Sequence, residues 1–514
     1  MTKTFNRRRG GATIAAAVLA GAVALSAGSA WAGKKDDTLN IGWSRVVESN
    51  DVYFNQGVRE GMIVGRLIWD NLVERNPISG QYEPLLATSY KWVNETTLDL
   101  ELRQGVKFHN GAAFSADDVV YTLNWTSNPD NKVAVPIMVN WIKSAEKTGP
   151  YSVRINLKQP FPAALEYLNA AIPIYPHEYY AKVGTKGMSE APVGTGPYTA
   201  SNVQPGRTIT LTKNPNYITG GPKGTPIISK IVQRTIAEEQ TQVAELLSGR
   251  LDWMWNATPD TADNLRKRAN LTVVDGETMR IGFISFNANG TGGANPMQDL
   301  RVRKAVAHAI DREGITKALI RGSARVIKSA CYPTQFGCAQ DIPQYGYDPA
   351  KAKALLAEAG FASGLDIDLY GYLDRPHTEA IMANLQAVGI RPKLNWLQFG
   401  PMFTAMQQGK APFTHLTTGA WSINDVSITL RGSFAGGPWD IARDQQVIDL
   451  VLGADKIVDQ SKRADLYKQA LTRINEQVYW LPLNTYYITY AFTSELDFTP
   501  HPDEVARFYQ SKWK

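Results

Sequence analysis

Leu102-Arg103-Gln104-Gly105-Val106-Lys107-Phe108-His109-Asn110-Gly111, followed shortly by Ser115-Ala116-Asp117-Asp118-Val119, is the stretch on which the fold turns. Ahead of it, Thr97–Leu102 alternates apolar and polar residues, as a half-buried strand does, and Tyr90–Val93 supplies a second strand-like run. Behind it, Ser115 is placed to cap a helix whose first turn carries Asp117 and Asp118, acids suited to the positive end of the helix dipole. A strand, a turn and a capped helix follow one another closely, and the chain on either side repeats the mixture.

Outward from this stretch, Thr38–Ser44 reads as the first strand, and Val64–Val73 as a helix with Val64, Leu67, Ile68 and Leu72 on one face. Tyr151–Leu157 and Arg207–Lys213 alternate as strands, and Arg280–Asn287 reads as a buried one. Glu238–Ser248 is helical up to Gly249. Asp299 caps a helix with Val302, Val306, Ala309 and Ile310 inward. Asp348-Pro349 opens another that closes at Gly360, and a long helix runs near Gln460–Gln477. Gly194-Thr195-Gly196-Pro197 reads as a stiff turn in which glycine takes a positive φ. Interleaved strands and helices make the class mixed α/β.

At 514 residues, the usual ~150 per domain gives about three domains. With 44% hydrophobic and 20% charged residues, the chain can bury large cores, which excludes a disordered protein. Lys3, Arg7, Arg8 and Arg9 precede a charge-free, Ala/Val/Leu-rich run that ends Ala30-Trp31-Ala32. Basic head, apolar run and small residues at the end predict a signal peptide over 1–32, cleaved near Ala32, and hence a periplasmic protein. A membrane anchor fits less well, because Ile14–Leu25 is shorter than the ~20 apolar residues of a span. Three consecutive arginines point to twin-arginine export, Gly10-Gly11 away from it, and both routes stay open. Taking those four basic residues from 54 leaves 50 against 48 acidic ones, so no nucleic-acid partner is expected.

The only cysteines, Cys331 and Cys338, exclude a disulfide-dense scaffold or a Cys-based zinc module. In an oxidising compartment they can close a small disulfide loop; two reduced thiols are the alternative. Solute binding is expected to survive reduction, since no cleft motif contains the loop. Enzyme signatures fail in turn. His177-Glu178 begins a zinc motif, but Ala181 stands where the second ligand belongs. Gly194-Thr195-Gly196 is followed by proline where a dinucleotide loop opens its helix. No phosphate loop or nucleophile elbow occurs, and six scattered histidines form no metal cluster by spacing. No catalytic residue, metal or cofactor is predicted, and a secreted hydrolase is the rival reading.

Ordered motifs carry a resemblance. Glu83-Pro84-Leu85-Leu86-Ala87-Thr88-Ser89-Tyr90-Lys91-Trp92, the opening stretch, Val193–Tyr198 with Asn214-Pro215-Asn216-Tyr217, Gly249-Arg250-Leu251-Asp252, Phe286-Asn287 with Asp299–Arg312, and Asp348–Gly360 follow in sequence. Together they resemble the bacterial extracellular solute-binding proteins of family 5, the cluster C proteins that serve peptide, nickel and opine ABC transporters. The similarity runs from about Arg66 to Gly360 and weakens beyond. It implies a two-lobed periplasmic binding protein type II-like fold with an inserted subdomain. The expected boundaries are 33–72, 190–282 and 488–514 for lobe I, 73–189 for the insert and 283–487 for lobe II, with crossings near Phe283 and Tyr487. Such a protein is expected to act as a monomer that hands a small-molecule ligand to an ABC permease complex in the inner membrane.

The resemblance also implies site residues. Peptide-binding relatives place a Trp on a lobe II strand and, three positions later, an Asp that holds the peptide amino group. Here the stretch is Trp421-Ser422-Ile423-Asn424-Asp425, with Asn424 at the acid's position and Asp425 one place late, which a strand turns to its other face. The relatives' Arg-Pro before a lobe II helix matches Arg375-Pro376, whose arginine fork suits carboxylate or phosphate. Trp43-Ser44, Trp255-Asn256 and Trp439 complete the expected ligand set, since a flat apolar face beside hydrogen-bonding groups suits polar solutes. The expected ligand is a small peptide or amino-acid-derived solute, with a sugar, opine or sugar-phosphate conjugate as the alternative.

Overall fold

A ten-stranded sheet organises the fold. The computed structural model describes residues 33–55, 59–77, 79–420 and 422–514, so the predicted leader over 1–32 and Trp421 lie outside the described residues. In chain order the strands are Thr38–Trp43 (β1), Tyr198–Gln204 (β2), Thr208–Lys213 (β3), Lys230–Thr235 (β4), Trp253–Trp255 (β5), Leu271–Phe286 (β6), Leu365–Gly371 (β7), Ile390–Trp396 (β8), Phe413–Thr418 (β9) and Trp480–Thr493 (β10). Across the sheet they lie in the order β8-β7-β9-β6-β10-β5-β1-β4-β3-β2.

β6 and β10 are long because each serves both ends of the sheet. Leu271–Glu277 of β6 pairs with Thr493–Tyr487 of β10, next to β5, whereas Phe283–Ser285 pairs with Pro482–Trp480, next to β9. Between these stretches the register shifts twice, from Glu277 to Ile281 and from Ile281 to Phe283. Thr278 fills the break: its Oγ1 donates to Tyr486 O at 2.7 Å and accepts from Arg280 N at 3.2 Å. Met279 N turns away to Pro502 O at 2.9 Å. Irregularities of this kind bend a ladder and sharpen its twist.

Strand direction fixes where the gap lies. β5 runs antiparallel to β10 and ends with Trp255 opposite Tyr490, pointing at the break. β9 runs antiparallel to β6 and ends with Thr418 opposite Ile281, pointing at the break from the other side. β1 is parallel to β4 and β5, and β7 to β8 and β9. The carboxyl ends of both parallel sets therefore face one gap. Residues 275–280 of β6 bridge it, a reach of about 20 Å at the rise of an extended strand.

A four-stranded antiparallel sheet (Ala87–Asn94, Thr97–Leu102, Ser152–Leu157, Ile142–Gly149) stands between β1 and β2 in the chain. Leu98, Leu100 and Leu102 are buried, as their alternation requires. Ser115 caps the helix Ala116–Ser127, its Oγ accepting from Asp117 N while Asp118 accepts from Ser115 N.

Two expectations are corrected here. The helix predicted over Val64–Val73 forms over Arg59–Ile68 instead. Its end is set from a distance: buried Lys223 donates to Arg66 O, Trp69 O and Asp70 Oδ1 at 2.9, 2.9 and 2.7 Å, satisfying carbonyls at the helix terminus. Gly194 and Gly196 do not take a positive φ. They are needed for close approach, since a Cβ would stand 2.1 Å from Ile68 O at Gly194 and 2.5 Å from Ile68 C at Gly196. His109 fastens this loop, with its N–H on Gly194 O at 2.8 Å and its ring Nε2 3.0 Å from Gly196 O. The Cys331–Cys338 disulfide is formed, with Cα atoms 5.7 Å apart.

Candidate functional site

On the β1–β5 side of the gap, strand alternation turns Trp253 and Trp255 to one face, while Met254 packs behind with Leu246 and Leu265. Trp43 at the end of β1 meets Trp255, ring centroids 6.4 Å apart. Both indoles are buried, yet neither Nε1 has a hydrogen-bond partner. The Arg59 guanidinium lies over the Trp255 ring at 5.1 Å. Around the first turn of the helix Arg59–Ile68, Asn55 Nδ2, Arg59 Nε and Glu60 Oε2 are likewise buried and unpartnered. Buried polar atoms almost always find partners, so the open groups of Trp43, Trp255, Arg59 and Glu60 make an incomplete polar surface beside the gap. Burial raises the Glu60 carboxyl above its ordinary value, and Arg59 offsets part of that rise. Burial would lower the Arg59 guanidinium, but Glu504 and Glu60 outweigh it and the net shift is upward.

A chain of contacts crosses the gap from this surface. Glu504, held at φ +64°, pairs with Arg59 Nη1 at 2.8 Å and lies 3.9 Å from Arg280 Nε. Arg280, in the irregular part of β6, donates to Thr417 Oγ1 at 3.4 Å, and Tyr372 OH is 3.2 Å from the same hydroxyl. Aromatic contacts then run from Tyr372 to Phe399 at 5.3 Å and from Phe399 to Trp439 at 5.5 Å. From β10, Tyr486 OH donates to Asp374 Oδ2 at 3.4 Å, at the head of the helix Arg375–Ala387. Burial pushes the Asp374 carboxyl up, but His377 and His415 hold it below its ordinary value. His415 itself is held down to about 3 by burial, with His377 beside it.

The expected site residues fall into separate groups. Trp43 and Trp255 stand together at the gap. Ser44 and Asn256, next to them, are exposed, and Asn256 has a φ of +58°. Trp439 closes the aromatic row on the far side, stacked on Phe403 at 3.6 Å. Arg375 is exposed, donates to Glu379 Oε1 at 2.8 Å and reaches over the Trp396 ring at 5.8 Å. Asn424 gives its backbone N–H to Glu166 Oε1 at 2.8 Å. Asp425 is buried and engaged by Arg463 through both oxygens, at 2.6 and 2.8 Å. Arg59, Glu60, Arg280, Glu504, Tyr372 and Tyr486 were not anticipated. Only Arg280 carried a local signal, a charge at the head of the apolar run Ile281–Phe286.

A chain whose parallel strands end on both sides of one gap, crossed by two shared strands and lined by open polar groups, has the architecture of a two-lobed solute-binding protein. The profile of the bacterial extracellular solute-binding proteins, family 5, middle region, matches residues 81–437. The chain belongs to that family, and its function is solute capture. Among curated relatives, it is 28% identical over 404 residues to the glutathione-binding protein GsiB of Salmonella paratyphi A, covering 75% of this chain and 77% of that protein. It is 27% identical over 458 residues to heme-binding protein A of Haemophilus influenzae, covering 81% of each. The crystal structure of a dipeptide-binding protein from Pseudoalteromonas sp. SM9913 with Met-Leu superposes with a TM-score of 0.78 at 19% identity, covering 93% of this chain and 100% of that one.

Proposed function

We propose that this chain is the periplasmic substrate-binding component of an ABC importer and closes two lobes over a small peptide or amino-acid-derived solute. Residues 33–72, 190–282 and 488–514 form lobe I, 73–189 the inserted subdomain and 283–487 lobe II. The register break of β6 between Glu277 and Phe283, facing Tyr486 and Tyr487 of β10, supports hinge crossings at that level. Lobe closure lets the solute select a state that the transporter recognises.

The observation that carries the reading is the set of unpartnered buried atoms at the gap: the indole N–H groups of Trp43 and Trp255, Arg59 Nε and Glu60 Oε2. An amino-acid-like solute presents a carboxylate to such donors and an amine to such an acceptor. Peptide-derived names among the relatives, glutathione and Met-Leu, agree with it. The engagement of Asp425 by Arg463, with neutral Asn424 before it, favours a second reading: a solute without a free amine, such as a sugar, opine or sugar-phosphate conjugate.

Thermal-shift measurements across short peptides, opines and oligosaccharides test both. A solute at about a hundred times its Kd adds about 2.7 kcal/mol to folded-state stability, a readily measured rise in Tm. For a peptide, Glu60→Gln abolishes most of the rise; for an amine-free solute it leaves the rise intact. Turnover of a peptide or glycoside, in place of stoichiometric protection, overturns the proposal in favour of a hydrolase.

A further inference from the structure

The Cys331–Cys338 loop does not lie apart from the gap, as its place in the sequence suggests. Within it, Phe336 N donates to Asn424 O at 3.1 Å and Phe336 O accepts from Val426 N at 3.0 Å, a parallel bridge about Asp425. Gln335 Nε2 donates to Ile423 O at 2.9 Å and Asp425 O at 3.4 Å, while its Oε1 accepts from Tyr332 N at 3.0 Å. Arg463, which holds Asp425, also covers the Phe336 ring at 4.9 Å. At the other end of the loop, Tyr332 OH donates to Glu277 Oε2 at 2.6 Å, and Glu277 is where the β6 register first breaks.

The segment thus gripped also touches elements across the gap. Ser422 Oγ donates to Asp503 O at 2.8 Å, and Asn424 N donates to Glu166 Oε1 at 2.8 Å. We infer that the disulfide-closed loop is a brace, fixing the 422–426 segment relative to the bridging strand β6 and so slowing the release of solute. Gln335, Phe336 and Tyr332 are its positioning residues. This rests on the reading of the gap as the solute site, but the brace itself is testable without solute. The covalent closure matters because the loop has no regular secondary structure of its own, and an open loop must spend conformational entropy to make the same contacts.

Hydrogen–deuterium exchange on the full chain decides it. In Cys331→Ala/Cys338→Ala, the amides of Phe336 and Val426 are expected to exchange at least tenfold faster, with those of β1 and β5 unchanged. Gln335→Ala, with the disulfide intact, raises the same two amides by a smaller factor and serves alone if the double variant does not fold. Unchanged exchange at Phe336 and Val426 overturns the brace. With Met-Leu as probe, the double variant should release the dipeptide at least fivefold faster than the unaltered protein. An unchanged release rate overturns the link to solute retention. Failure of the unaltered protein to bind Met-Leu counts against the peptide reading, and exchange still decides the brace.

Discussion

Asp425 and Arg463 face each other inside the second half of the fold, with side chains 7% and 4% exposed, and the guanidinium fork uses both carboxylate oxygens. Removing one partner of such a pair strands the other charge, at a typical cost of 3–5 kcal/mol. Asp425→Asn is therefore expected to lower unfolding stability by about that much in urea titration, and to act on stability before it acts on solute choice. Trp43 and Trp255 make the opposite case. Their indole N–H groups bond to nothing in the protein, so Trp43→Phe or Trp255→Phe removes no internal hydrogen bond. Each should lower Tm only by the packing lost when a buried indole becomes a phenyl ring, while weakening solute affinity by ~1–3 kcal/mol, the range for losing one buried hydrogen bond, as read by titration calorimetry. A large loss of Tm with unchanged affinity would return both residues to the core.

At the scale of elements, the Gly194–Pro197 loop and the helix Arg59–Ile68 are locked by contact. A methyl group at Gly194 meets the Ile68 carbonyl at 2.1 Å, whereas a Cβ at Gly105, whose φ is +77°, meets nothing within 4 Å. Gly194→Ala should therefore cost more than the usual 1–3 kcal/mol of overpacking, and Gly105→Ala only the smaller cost of a left-handed backbone, compared by denaturant midpoints. Equal midpoints for the two variants would contradict the packing account. This loop also marks where sequence reading runs out. The capped helix after Ser115, the strand Thr97–Leu102 and the helix Pro349–Glu358 were legible because their signals are local: a serine before two acids, strict alternation, Pro at the start and Gly at the end. The end of the helix at Ile68 was not, because Lys223 and Gly194 set it from far along the chain. The candidate site divides the same way. Trp43 and Trp255 were expected through the family resemblance, which directs their strand ends to the cleft, whereas Glu504 and Arg59 meet only through tertiary folding. The engagement of Asp425 by Arg463 likewise has no trace in either residue's neighbours.

For the whole molecule, buried titratable groups pull stability in opposite directions with pH. Burial holds His415 down to about 3 and His501 to about 4. Below the ordinary histidine value near 6.5 the unfolded chain takes up protons that these sites refuse, so they lose stability on acidification. Burial raises Asp51, Asp252 and Asp455 to about 6, so the folded chain takes up those protons first. Acidification from about pH 6 toward 4 then relieves a cost present at neutrality. The two sets oppose each other, and Tm is expected to change little between about pH 7 and 5. It should fall steeply only below about pH 4, where the unfolded chain protonates Asp503 while the folded protein, with that buried carboxyl held at about 2 by Arg507, still refuses the proton. His415→Gln removes one opposing group, so its Tm relative to the unaltered protein should rise as pH drops from about 6 to 4. The gain is at most ~1.4 kcal/mol per pH unit. A gap between the two proteins that is constant with pH would sink this assignment.

The shared strands carry a consequence for biosynthesis. β5 and the first part of β6 are neighbours of β10 rather than of each other, and Trp253 packs on Phe508 at 5.0 Å while Trp513 Nε1 reaches back to Asp37 at 3.1 Å. A ribosome that has released the chain as far as Gln477 has made nine of the ten strands of the large sheet without the one that joins its two ends. Until Trp480–Thr493 emerges, β5 and β6 present open edges that invite pairing with other chains. Folding of the sheet is thereby deferred past synthesis and made slow by long-range pairing. During that interval the polypeptide is at its most prone to aggregate.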